Sequence, residues 1–165
     1  MAAHGASMQA GVIITHPNRD KPAVQGTRAL VVGLLLLSAT LVALITVAGW
    51  KVLEGAVPVE VAYVALYLLL AYLAVRWNRG ALPASAGLAV FLLIFAGVAA
   101  PGWFERDKSG YTKPLLSASL LGLLTLLVIP LQLLLVVFAM RGLGEGWNVE
   151  VEQRSDRVTG SFSAA

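Results

Sequence analysis

Four long apolar runs separated by short polar stretches set the pattern of this chain. The longest covers residues 114–140, which is 27 residues without a charge between Lys113 and Arg141. As a helix rising ~1.5 Å per residue it would reach about 40 Å, against a hydrocarbon core of ~30 Å, so it must tilt, kink or protrude. Pro130 supplies a reason to kink, since it lacks the N–H that would bond the Leu126 carbonyl and its ring crowds that carbonyl. The other runs cover residues 29–50, 59–77 and 81–103, the last taken as helical to about Ala100 with Pro101 at its end. The expected fold is all-α, an integral membrane protein with four transmembrane helices in an antiparallel up-down bundle. A polar N-terminal arm over residues 1–28 precedes the transmembrane domain over 29–141, and a tail over 142–165 follows it.

Steps of three and four along the last run gather Ala118, Gly122, Thr125, Ile129, Gln132, Val136 and Ala139 on one face, while the other faces are nearly all Leu and Val. Lipid tails solvate Leu as well as protein does, so small and polar residues mark where helices meet. Ala118, Gly122, Thr125 and Pro130 are therefore assigned to helix packing, with Gln132 beside the carbonyl that Pro130 frees. In the third run Ala81, Ser85 and Ala89 repeat small-xxx-small spacing, as do Ala96 and Ala100, which predicts close packing. In the first run Ala39, Ala43 and Thr46 form a small face, and Ser38 and Thr40 can bond back to carbonyls one turn earlier without any partner.

The second run carries the candidate chemistry. Glu60, Tyr63 and Tyr67 share a face, and with Gln132 they form a candidate polar pocket for a lipid headgroup, a quinone or a proton. The competing reading leaves Glu60 in the first turn after Pro58, in water at a favourable helix dipole, with the tyrosines bonding across the bundle. The three residues 78–80 should form a tight turn with Gly80 available for positive φ, making a close hairpin of the second and third spans. In the next loop, residues 107–110 read as a turn, and Trp103, Phe104 and Tyr111 as interfacial aromatics. The tail alternates Trp147, Val149 and Val151 with Asn148, Glu150 and Glu152, which predicts a strand over 147–152. Its expected partner is residues 12–14 or a strand of another chain, because one strand alone is unstable in water.

Composition narrows the class further. The chain has 165 residues, 58% hydrophobic and only 13% charged, far from the quarter or so of charged residues in soluble domains. Its basic residues stand at the ends of apolar runs and form no patch, so they read as topology signals and no nucleic-acid partner is expected. Counting Lys and Arg gives three in the arm, two around residues 76–80 and three after residue 140, eight in all, against four at Lys51, Arg106, Lys108 and Lys113. Both termini are therefore expected in the cytoplasm. The preference for Ala, Gly, Val and Arg suggests a prokaryotic gene, and hence a plasma (inner) membrane location.

Several chemistries lack their residues. No span contains histidine or cysteine, which argues against haem and iron–sulfur clusters, and His4 and His16 have no ligand partners nearby. No ionisable group lies at mid-membrane depth, and no nucleophile–base pair or phosphate loop occurs, so neither coupled transport nor catalysis is expected. No cofactor is expected to be held by this chain, apart from a lipid or quinone in the candidate pocket. The layout is generically similar to small accessory subunits of prokaryotic respiratory and photosynthetic complexes. That resemblance implies a non-catalytic structural subunit whose partners are lipids and other membrane-protein subunits. The alternative is a small four-helix membrane binder or porter of a lipid, quinone or other small molecule.

Overall fold

The computed structural model describes residues 12–15, 18–106, 108–146 and 151–154. Among these, four helices are long and apolar enough to span a membrane: α1 (Pro22–Leu53), α2 (Val57–Val75), α3 (Ala81–Glu105) and α4 (Ala118–Gly144). Two strands, β1 (Val12–Thr15) and β2 (Val151–Arg154), pair antiparallel with Val12 opposite Arg154 and Thr15 opposite Val151. The partner of the tail strand is thus the N-terminal segment of the same chain. The described part of the tail strand is Val151–Arg154; residues 147–150, the rest of the expected strand, lie outside the described residues, as do His4 and His16.

Helix ends depart from the apolar runs for local reasons. α1 takes in the last seven residues of the expected arm, because Pro22 suits a first helical position and the side chains of Thr27 and Arg28 find partners on α4 and α2. Its far end passes through a 3-10 turn, Glu54–Ala56, almost directly into α2. α3 continues through Pro101 to Glu105. A proline removes only its own N–H, and the turn beyond it is anchored by Trp103, which is buried at 5% exposure against Gly49. Trp103 is therefore a core residue and not an interfacial one. α4 starts at Ala118 because the Ser117 hydroxyl oxygen accepts from the Leu120 N–H at 3.4 Å and caps it, leaving residues 114–117 outside the helix.

The turn between α2 and α3 resolves differently from expectation. Gly80 has φ −79°, and the positive φ falls on Trp77, at 58°. The Trp77 N–H donates to the Ala74 carbonyl and the Asn78 N–H to the Leu73 carbonyl, the paired bonds of a helix end that usually carries glycine. A left-handed tryptophan costs about 1–2 kcal/mol. Two guanidinium groups lie over its ring, Arg28 at 4.3 Å and Arg19 at 5.4 Å, and contacts of that kind contribute about 0.5–1 kcal/mol each. The two terms are comparable, which accounts for a bulky residue where a glycine stands one turn away.

Packing is uneven around the bundle. α3 lies closely on α4, α4 on α1, and α1 on α2, whereas α2 and α3 touch only lightly despite the short turn joining them. The close hairpin expected of the second and third spans is therefore absent beyond the turn. At one end Arg28 donates to the Val75 carbonyl, Asn18 to the Gly146 carbonyl and Thr27 to Glu145. At the other end aromatic rings sit over glycines: a Cβ at Gly49 would lie 2.8 Å from Trp103, and one at Gly122 would lie 2.8 Å from Phe104. The same end is tied by the Leu115 N–H, which donates to the Ala48 carbonyl at 2.8 Å.

The two glycine contacts should respond differently to substitution. Gly49→Ala meets a buried ring with nowhere to go, and overpacking of that kind costs ~1–3 kcal/mol against a helix-propensity gain of about 1. Gly122→Ala meets Phe104, which is 41% exposed and can swing outward. Reversible unfolding in mixed micelles should show Gly49→Ala destabilised by about 1 kcal/mol and Gly122→Ala unchanged or slightly more stable.

Candidate functional site

The four residues of the candidate pocket fall into two separate arrangements. Tyr67 and Gln132 belong to a closed hydrogen-bonded link in the bundle interior, both with no exposure to the surroundings. The Tyr67 hydroxyl donates to Gln132 Oε1 at 2.8 Å, and Gln132 Nε2 donates to Ser38 Oγ at 3.0 Å. This joins α2, α4 and α1. Ser38 thus has a cross-helix partner, contrary to the expectation that it needs none, while Thr40 does bond back to the Leu36 carbonyl. Gln132 turns toward Tyr67 and Ser38, not toward the carbonyl freed by Pro130. The step-of-four rule places a residue on a face but does not identify the group opposite it, so Ser38 could not be found from spacing alone.

Glu60 and Tyr63 line a cavity of about 400 Å³ bounded by all four helices. Glu60 is half-buried, and the Thr46 hydroxyl lies 2.6 Å from its Oε2. The same hydroxyl lies 2.8 Å from the Val42 carbonyl. The carboxyl group is therefore held across the α1–α2 contact instead of standing free in water. Spacing places Thr46 on a small face, but its pairing with a carboxyl group fourteen residues away depends on the α1–α2 turn. Tyr63 is buried and stacks edge to face on Tyr67 at 5.9 Å and on Phe95 of α3 at 6.1 Å. Its ring separates the cavity from the Tyr67–Gln132–Ser38 link.

The cavity is apolar and opens toward the surroundings between α2 and α3. Val42, Ile45 and Val128, all buried, form its floor, and buried Trp103 lines it from α3. The rim is exposed: Val59 and Phe95 at 50% and Val98 at 76%. Among the described residues no Lys, Arg or His lines it, and Glu60 is the one charged side chain that does.

The residues assigned to packing are distributed along α4. Ala118, Gly122 and Thr125 are buried, Gly122 beneath Phe104, and Thr125 bonds back to the Leu121 carbonyl while reaching the cavity floor. Pro130 lies inside α4 and is exposed.

The chain matches no known protein family, no curated protein and no solved structure.

The buried link should behave as a unit. Gln132→Leu removes two interhelical hydrogen bonds, each worth about 0.6 kcal/mol on average in membranes, so a loss of roughly 1 kcal/mol is expected. Tyr67→Phe leaves the Gln132 oxygen without its donor. Adding it to Gln132→Leu should cost less than it does alone, and a double-mutant cycle on bundle unfolding would read that non-additivity directly.

Proposed function

We propose that this chain is a non-catalytic, multi-pass protein of a prokaryotic plasma membrane that holds an amphipathic small molecule, of the lipid or quinone class, in the α2–α3 cavity. The observation that carries this reading is the cavity's make-up: apolar walls, exposed lining residues on α2 and α3 where these sequence neighbours pack only lightly, and, among the described residues, one carboxyl group. Ligand pockets are mostly apolar with few polar groups, and 400 Å³ lies within their usual range of ~300–1,000 Å³. An entrance facing lipid suits a ligand that arrives through the bilayer. No nucleic acid or metal is part of this reading.

A second reading, an accessory subunit of a larger membrane complex, is favoured by the sheet. Among the described residues it has only two strands, and a two-stranded sheet is marginal in water, so a third strand from another protein would complete it. Native mass spectrometry of the protein extracted in mild detergent separates the two. The binder reading expects a small retained adduct that is lost when Ala99→Trp fills the cavity. The subunit reading expects stoichiometric proteins that fall away when residues 146–165 are deleted.

The proposed orientation is an antiparallel up-down bundle with both termini in the cytoplasm, supported by eight basic residues against four. The chain has no cysteine of its own, so labelling is clean. In intact cells Ser109→Cys should react with an impermeant maleimide and Asp20→Cys should not; the opposite pattern would invert the topology.

A further inference from the structure

The cavity also contains information about the head of its ligand, an inference that rests on the binder reading above. Glu60 offers Oε2 to the Thr46 hydroxyl, and its second oxygen has no partner among the described residues. With no cationic side chain among the described residues of the lining, a carboxylate or phosphate head would find nothing there to neutralise it and one acidic group to repel it. A head that donates hydrogen bonds meets the opposite situation. We propose that the α2–α3 cavity takes a single-chain amphiphile with a hydrogen-bond-donating head, an amine or a hydroxyl, which binds the free oxygen of Glu60.

Position and size fit one chain. Glu60 lies in the first turn of α2, beside the short connection to α1, so the head sits near the end of the bundle. From there the lining runs along α3 from Trp103 to Leu92, eleven steps or ~16 Å at 1.5 Å per residue. Tyr63 and Phe95, in edge-to-face contact, flank the path at its inner part. The remainder of a longer chain leaves between α2 and α3, past the exposed Val98 and Phe95. A headgroup carrying two chains would have to leave one chain outside this groove.

The test uses the full-length protein in phosphatidylcholine nanodiscs, with displacement of a dansyl-tagged long-chain amine by dodecylamine, dodecanol or dodecanoate. Dodecylamine and dodecanol should displace the probe, and dodecanoate should be at least about tenfold weaker, a difference of one RT ln 10. This comparison needs no variant. Displacement by dodecanoate equal to that by the amine would overturn the head assignment while leaving the binder reading intact. Absence of saturable probe binding would remove both.

Glu60→Gln then distinguishes the two head types. It keeps an acceptor oxygen but loses the charge, so amine binding should weaken about tenfold with the alcohol unchanged if charge recognises the head. Equal weakening of both would assign a hydrogen bond to the carboxylate form. No change in either would show that Glu60 does not recognise the head, and the proposal would fall.

Discussion

An amide buried among hydrocarbon must have partners, and this requirement on Gln132 organises the bundle interior. Its oxygen accepts from Tyr67 and its nitrogen donates to Ser38, so one side chain fixes α4 to α2 and to α1 at the same depth. Unpaired, those groups would each cost far more than the roughly 0.6 kcal/mol that a satisfied bond contributes in lipid. α3 takes no part in the link. It packs chiefly on α4, and its small residues Ser85, Ala89, Ala96 and Ala100 are all buried. Two different adhesives thus act on two sets of helices, and the seam where neither acts is the one between α2 and α3.

The two ends of the bundle are built from different chemistry. At one, Asn18, Thr27, Arg19 and Arg28 tie the start of α1 to the ends of α2 and α4 through hydrogen bonds and ring contacts. The left-handed Trp77 belongs to that end, and the guanidinium groups over its ring offset its backbone cost. At the other, Trp103 and Phe104 cover Gly49 and Gly122, and Glu60 is the charged side chain that lines the cavity among the described residues. The cavity lies toward this second end, where packing is aromatic.

Hydropathy made the four helices legible because a membrane demands long uncharged runs, and that demand does not depend on which helix neighbours which. Helix ends were less legible. The first turns of α1 are polar and are helical because Thr27 and Arg28 have tertiary partners, which no run of hydrophobicity records. The candidate site was legible as a face and not as a pocket: Glu60, Tyr63 and Tyr67 do share one side of α2, but the Tyr63 ring divides that side between a cavity and a buried link. Spacing alone makes Ser38 self-satisfied, Thr46 part of a small face and Trp103 interfacial, because the partners that decide their roles are supplied by another helix. Gly80 gave way to Trp77 at the positive φ for the same reason, since the arginines that stabilise that ring come from α1 and the segment before it.

The central claim is that the α2–α3 seam is an entrance from the bilayer. Photo-crosslinking tests it most directly, using a long-chain amine with a diazirine at its tail in nanodiscs and peptide mapping of the label. The account predicts label concentrated around Tyr63 of α2 and Phe95 and Ala99 of α3, and suppressed by an excess of the untagged amine. Label spread evenly over outward residues such as Leu126, Leu127 and Leu133 of α4, with no suppression, would contradict it.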